Sequence, residues 1–207
     1  MCGSPKGCAD GLSTIAYVPL TQLEPTVALI LIDLQKGIVD SVRPTVDGVI
    51  SNAAALAEAF RAHGRTVVLV NVAGGAPGRT DVQAAGGSRP SMPEGFADLV
   101  PELGSDPQDI LLTKHRWGAF TGSDLDKQLR VLGITQVVVG GVSTSVGVET
   151  TARSAYELGY NVVLAVDAML DRDAVCHEHS VARVFPKLGE TSMTKEIMTA
   201  LDQDSAR

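Results

Sequence analysis

The stretch VVVGGVSTSVGVETTARSAY, residues 137–156, does most to limit what this chain can fold into. A β-branched apolar run meets two glycines there and opens at once into a helical pattern. Val137, Val138 and Val139 carry the signature of a strand covered on both faces, as found in parallel sheets flanked by helices. Gly140 and Gly141 are expected to end that strand. Ser143, Thr144 or Ser145 can then cap a helix running through Glu149, Ala152 and Ala155 to about Leu158, where Gly159 stops it. Backbone N–H groups at such a helix start are free to hold an anion or a developing negative charge.

The rest of the chain repeats the alternation of strand and helix. Residues 27–32, VALILI, form a continuous apolar run that ends at Asp33 and reads as a central parallel strand. Residues 44–63 place Val46, Val49, Ile50, Ala53, Leu56, Ala57 and Phe60 at spacings of three and four, an amphipathic helix closed by Gly64. Residues 66–70, TVVLV, supply the next strand, so residues 27–71 make a β-α-β crossover of the usual right hand. A third strand, ILLT at 110–113, ends at Lys114. Ser123 with Asp126 resembles a capping box for a helix to about Leu132. Residues 161–166, NVVLAV, form a further strand ending at Asp167, and residues 173–185 a helix. Thr194 caps the last helix. The fold class is therefore α/β, a three-layer α/β/α domain with a mostly parallel central sheet of about six strands. One such domain spans residues 23–207 behind a flexible leader, residues 1–22.

A chain of 207 residues with 44% hydrophobic content can bury one full core and is short for two. Its formal charge of -7 excludes a nucleic-acid surface, which needs clustered Lys and Arg. No apolar run reaches the roughly 20 residues needed to cross a bilayer, and MCGSPKGCADGLS has no apolar core for a signal peptide. A cytoplasmic protein without membrane or nucleic-acid partners is the expectation. Cys2, Cys8 and Cys176 are odd in number, which argues against a disulfide framework. Cys2 and Cys8 lack further ligands at zinc-site spacing, and His177 and His179, two apart on a helix, cannot chelate as an i, i+4 pair does. The reading calls for no metal and no cofactor.

Ligand sites in open parallel sheets lie at the carboxyl ends of strands, and two charged residues stand there. Asp33 follows six apolar residues, which desolvates it and raises its pKa unless a cation offsets the effect. Taken alone, it serves equally as a cap of the turn to Leu34 and Gln35. Lys114 occupies the matching place on its own strand, where its ammonium can orient a proton on Asp33 or stabilise negative charge. Residues 73–93, with five glycines and three prolines, read as a loop in which Arg79 and Arg89 either close over an acidic substrate or stay solvated. Trp117, the chain's only tryptophan, either walls a pocket or packs into the core. Cys176 lies away from the strand ends, and none of Ser143, Thr144 and Ser145 has a histidine base recognisable in sequence.

Three segments together carry a family resemblance: D-L-Q at 33–35, K-x-R-x-x-A-F-x-x-S-D-L at 114–125, and G-V-S-T-S-V-G-V-E-T-T-A-R-S-A at 141–155. The chain resembles the isochorismatase-like hydrolases, a superfamily that includes cysteine amidases, from Val27 to about Leu201. The resemblance implies that Asp33 is the general acid/base and Lys114 its partner. Position 147 matches the catalytic cysteine of most members, and here it is glycine, as in the true isochorismatases. It also implies a cis peptide at Val142–Ser143 that helps form an oxyanion hole, and a homodimer or larger homo-oligomer; the candidate substrate-binding residues are Gln35, Val142, Ser143, Trp117 and Arg79. The chemistry so implied is Asp- and Lys-assisted attack of water on a small anionic substrate, with Asp33, Lys114 and Gly147 as the catalytic set and no covalent thiol intermediate. The implied reaction is hydrolysis of a vinyl ether or a C–N bond. The alternative is a descendant without activity that binds a small molecule or acts as an oligomeric scaffold. Ser143, Thr144 and Ser145 stand where the isochorismatases carry Tyr-Ala-His, so the substrate differs.

Overall fold

In the computed structural model, residues 20–86 and 92–204 are described. Six strands, β1 (Val27–Ile32), β2 (Thr66–Val72), β3 (Ile110–Lys114), β4 (Gln136–Val142), β5 (Asn161–Leu170) and β6 (Glu190–Ser192), form one sheet in the order β3-β2-β1-β4-β5-β6. Every pairing is parallel. The helices are α1 (Lys36–Val39), α2 (Asp47–Ala62), α3 (Asp81–Ala84), α4 (Leu125–Val131), α5 (Glu149–Glu157), α6 (Ala174–His179) and α7 (Thr194–Asp204).

Both faces of the sheet are covered, which is why β1 can be apolar at every position. Val27, Leu29 and Leu31 point into one core with Leu56 and Phe60 of α2 and Ile197 and Leu201 of α7. Ala28, Ile30 and Ile32 point into the other, with Leu125 and Leu129 of α4, Ala152 and Ala155 of α5, and Phe185. All six β1 residues are buried. Strand alternation thus divides one apolar run between two cores.

The strand order fixes where a ligand can sit. From β1 the chain winds to β2 and β3 on one side, then returns to lay β4, β5 and β6 on the other. Connections leaving β1 and β4 therefore diverge, and the crevice between their carboxyl ends is where open α/β sheets hold ligands. Asp33 and Ser143 follow these two strands directly.

The junction at 137–156 differs from expectation. Gly140 and Gly141 do not end β4; they lie inside it, with a register shift against β5 between Val139 and Gly141. Close approach of the neighbouring backbones explains them. A Cβ on Gly140 would stand 3.0 Å from the Ala168 carbonyl oxygen, and one on Gly141 2.0 Å from that of Ile32. The helix also starts later. Residues Thr144–Val148 form a π-helical turn, and α5 begins only at Glu149. Ser143 makes no side-chain cap, and the hydroxyls of Thr144 and Ser145 have other partners, described below. Likewise Asp126 completes no capping box; it accepts from Tyr160 Oη at 2.7 Å and Arg130 Nε at 3.2 Å. The expected 173–185 helix is divided into α6, a π-helical turn (Ser180–Val184) and a 3-10 turn (Phe185–Lys187). β5 continues past Val166 to Leu170, and α3 interrupts the expected 73–93 loop. Arg89, Cys2 and Cys8 lie outside the described residues, as does residues 1–19 of the expected leader.

Gly141→Ala tests the crowding. With φ 118 and the Ile32 backbone 2.0 Å from the new methyl, it is expected to cost at least about 3 kcal/mol of unfolding free energy. Gly64→Ala, at φ 62 with nothing within 4 Å, is expected to cost only about 1–2 kcal/mol. Urea denaturation of both variants measures the difference.

Candidate active site

Asp33 is the residue on which the site turns. Its amide still donates to the Val70 carbonyl at 2.9 Å, but its φ is 53, so the backbone leaves the strand in the left-handed region. Asp tolerates that region better than most residues. The residue is 5% exposed, and its Oδ2 accepts from Lys114 Nζ at 2.7 Å. Two strand spacings separate β3 from β1, about 9.6 Å in all, a gap that only a long side chain such as lysine spans.

The ammonium is fully occupied. Besides Asp33 it donates to the Trp117 carbonyl at 2.9 Å and to the Arg116 carbonyl at 3.3 Å, and an ammonium has three N–H donors. Asp33 is served on one side only: its Oδ1 is buried and has no hydrogen-bond partner among the described residues. Burial pushes the Asp33 carboxyl up to about 6, and the charge and hydrogen bond of Lys114 keep it from rising further. A carboxyl at that value exchanges a proton near neutrality, which suits it to acid or base work.

The pair opens on a cavity of about 760 Å³. Asp33, Lys114, Val142, Ser143 and Gly147 line its floor, and Trp117 and Arg79 its mouth. Trp117 is 56% exposed, so it is a wall and not part of the core. The Val142–Ser143 peptide is cis. Gly147 stands against the acid: a Cβ there would lie 3.2 Å from Asp33 Oδ2 and 2.9 Å from Ile32 Cγ2.

Gln35 is placed differently. It is completely buried, does not line the cavity, and exchanges hydrogen bonds with the Val72 backbone, accepting from its N–H at 2.7 Å and donating to its carbonyl at 3.1 Å. Its Nε2 also donates to the Phe96 carbonyl at 2.9 Å. Gln35 therefore fastens two walls, with Val72 and Phe96 lining the cavity. A loop residue such as Phe96, packed on Gly37, has no local motif to announce it. Arg172, just beyond β5, also lines the cavity and was not a sequence candidate.

The three hydroxyls after β4 have separate fates. Thr144 Oγ1 pairs with His177 Nδ1 at 2.9 Å, a partner 33 residues away that sequence could not show, but Thr144 is buried outside the cavity lining. Asp171 accepts from both the amide and the hydroxyl of Ser145, at 2.8 and 2.7 Å. Those bonds tether the π-helical turn to the segment after β5. Cys176 is exposed and outside the cavity, and desolvation with the neighbouring Asp173 carboxylate holds its thiol above the ordinary value, which opposes a reactive thiolate. Among the described residues no group of three or more His, Cys, Asp or Glu is placed to hold a metal, and no helix is long and apolar enough to cross a membrane.

A parallel sheet with helices on both faces and an acid–amine pair over a cavity at its switch point defines a three-layer α/β/α protein with a ligand site at its strand ends. The chain belongs to the isochorismatase family of hydrolases, whose domain, described as the Isochorismatase domain, matches residues 27–196. The isochorismatase family protein YwoC of Bacillus subtilis (strain 168) is 43% identical over 176 residues, covering 83% of this chain and 92% of its own. The structure of an isochorismatase family protein from Burkholderia thailandensis superposes with a TM-score of 0.81 at 41% identity, covering 89% of this chain and 99% of that one. The ureidoacrylate amidohydrolase RutB of Variovorax paradoxus (strain S110) is 32% identical over 169 residues, 68% of this chain and 67% of its own.

Replacing Lys114 by Met tests the electrostatics. The folded Asp33 pKa lies above its unfolded value, so the carboxyl favours folding below about pH 4, and that contribution is lost as pH rises through about 6. Without the ammonium the loss deepens on the alkaline side. Lys114→Met is expected to destabilise by about 3–5 kcal/mol at about pH 8 and by distinctly less at about pH 5, read from denaturation midpoints at both values.

Proposed function

We propose that this protein hydrolyses a small anionic substrate by direct attack of water, with Asp33 as the proton carrier and no side-chain nucleophile. The observation that carries the reading is Asp33 itself: one carboxyl oxygen held by Lys114 at 2.7 Å, the other buried and unpartnered, beside a cavity. Position 147, next to the acid, offers only a glycine.

The parts suit a vinyl ether. The protonated Asp33 delivers its proton to the terminal vinyl carbon, leaving an oxocarbenium ion and a carboxylate that Lys114 stabilises. Water adds to the cationic carbon and loses a proton to Asp33. The resulting hemiketal collapses, the C–O bond to the alcohol breaks, and ketone and alcohol leave. Lys114 has no donor left for substrate, so it acts through Asp33. The cis Val142–Ser143 peptide lies on the cavity floor, where its amide is a candidate donor to developing negative charge.

C–N hydrolysis is the second reading, favoured by the similarity to RutB, a ureidoacrylate amidohydrolase. There Asp33 would act first as a base on water. The two readings have opposite pH signatures. Acid catalysis gives a kcat/KM that falls about tenfold per pH unit above about 6, and base catalysis one that falls below about 6. Asp33→Asn is expected to lower turnover by about 10²–10⁴-fold in either case. Assays of isochorismate, a vinyl ether panel and a panel of small amides, across that pH range, decide between them. A wild type that turns over none of these while binding small acids leaves the inactive binder or scaffold. The protein is expected to act as a homodimer or larger homo-oligomer, checked by sedimentation.

A further inference from the structure

The cavity sets four cationic side chains, Arg79, Lys114, Arg116 and Arg172, against one carboxylate, Asp33, in a chain of net charge -7. Such a local excess focuses potential on anions. Four arginines elsewhere are neutralised: Arg43 pairs with Asp47 and Glu102, Arg61 with Asp109, Arg130 with Asp126 and Arg153 with Glu149. The three at the cavity form no ion pair among the described residues. Lys114 cannot serve an anion either, since Asp33 and two carbonyls occupy its three donors.

Arg172 is the arginine whose geometry is fixed from outside its own segment. Its Nη2 donates to Ser41 Oγ at 2.6 Å, and Ser41 Oγ donates in turn to the Ile38 carbonyl at 2.9 Å. Ile38 belongs to the cavity wall. Arg116, by contrast, turns back on the His115 carbonyl at 2.8 Å. The acids flanking Arg172 are engaged elsewhere: Asp171 by Ser145, and Asp173 by the Val175 amide at 2.9 Å. A guanidinium has five N–H donors in a rigid fork; the Ser41 bond takes one, and Arg172 lines the cavity with the rest of the fork to offer.

We propose that Arg172, tethered by Ser41, anchors a second negative group on the substrate, so that the site selects small organic dicarboxylates with an apolar body over monoacids. The inference rests on the cavity being the substrate site and names which substrates enter it. Phe96, Met92 and Trp117 supply the apolar walls.

Binding is measured by calorimetry, with Trp117, the only tryptophan, as a fluorescent second signal. The probes are benzoate, with one carboxylate, the three phthalate isomers, with two at different separations, and phenyl phosphate, with both charges on one group. At least one phthalate isomer is expected to bind about tenfold tighter than benzoate, the effect of one charge-assisted contact. Arg172→Gln removes that advantage and changes benzoate affinity by less than about twofold. Arg172→Lys keeps part of it. Arg183→Gln, which removes an exposed charge outside the cavity, keeps all of it. Melting curves confirm that each variant folds. Equal affinity for benzoate and every isomer, no binding of any probe, tightest binding of phenyl phosphate, or an advantage that survives in Arg172→Gln each overturns the proposal. A dicarboxylate preference without turnover of vinyl ethers or amides overturns the hydrolytic reading and leaves this one standing.

Discussion

A carboxylate and an ammonium buried together at 2.7 Å govern this molecule. Neither charge is tolerable there alone, since removing one member of such a pair leaves the other uncompensated in a poor dielectric. The pairing also couples strands that do not touch: Asp33 leaves β1, Lys114 ends β3, and β2 lies between them. The contact therefore clamps half of the sheet at the end that opens on the cavity. Because the ammonium also holds the Arg116 and Trp117 carbonyls, it shapes the turn that forms the cavity mouth.

The other half of the floor is made of backbone. β4 approaches β1 so closely at Gly141 that no side chain fits, and the chain then passes through a cis peptide and a π-helical turn before α5 begins. π-helical turns are recurrent at functional sites because they offset a helix by one residue without ending it. Here the offset carries Val146 and Gly147 to the cavity while Thr144 and Ser145 are tethered to His177 and Asp171. One wall is thus held by charge and the other by close packing and hydrogen bonds.

How much of this could be read from residues alone depends on range. The β1 limits and the Asp33 and Lys114 strand ends follow from continuous apolar runs, and the structure reproduces them: β1 is buried on both faces, while β3, at the sheet edge, keeps the run although Leu111 is exposed. The glycines at 140 and 141 misled, since glycine at a strand end and glycine against a neighbouring backbone look alike in sequence, and only the adjacent strands, β5 at Gly140 and β1 at Gly141, tell the two apart. Gln35 belongs to a local motif, yet its bonds to Val72 and Phe96 depend on residues 37 and 61 positions away. Arg172 was invisible for the same reason: nothing near it in the chain signals that Ser41, 131 residues earlier, will hold its guanidinium.

The crowding at Gly147 also limits what can replace the glycine. Any β-carbon at that position meets Ile32 Cγ2 at 2.9 Å before it meets anything else. Grafting a nucleophile here is consequently a two-residue problem: the partner change belongs on the central strand, where Ile32 must shrink or shift. A designer, or a lineage drifting between covalent and water-based hydrolysis, has to move both positions in concert, and the order of the steps matters because a trimmed Ile32 without its new neighbour leaves a hole beside the acid.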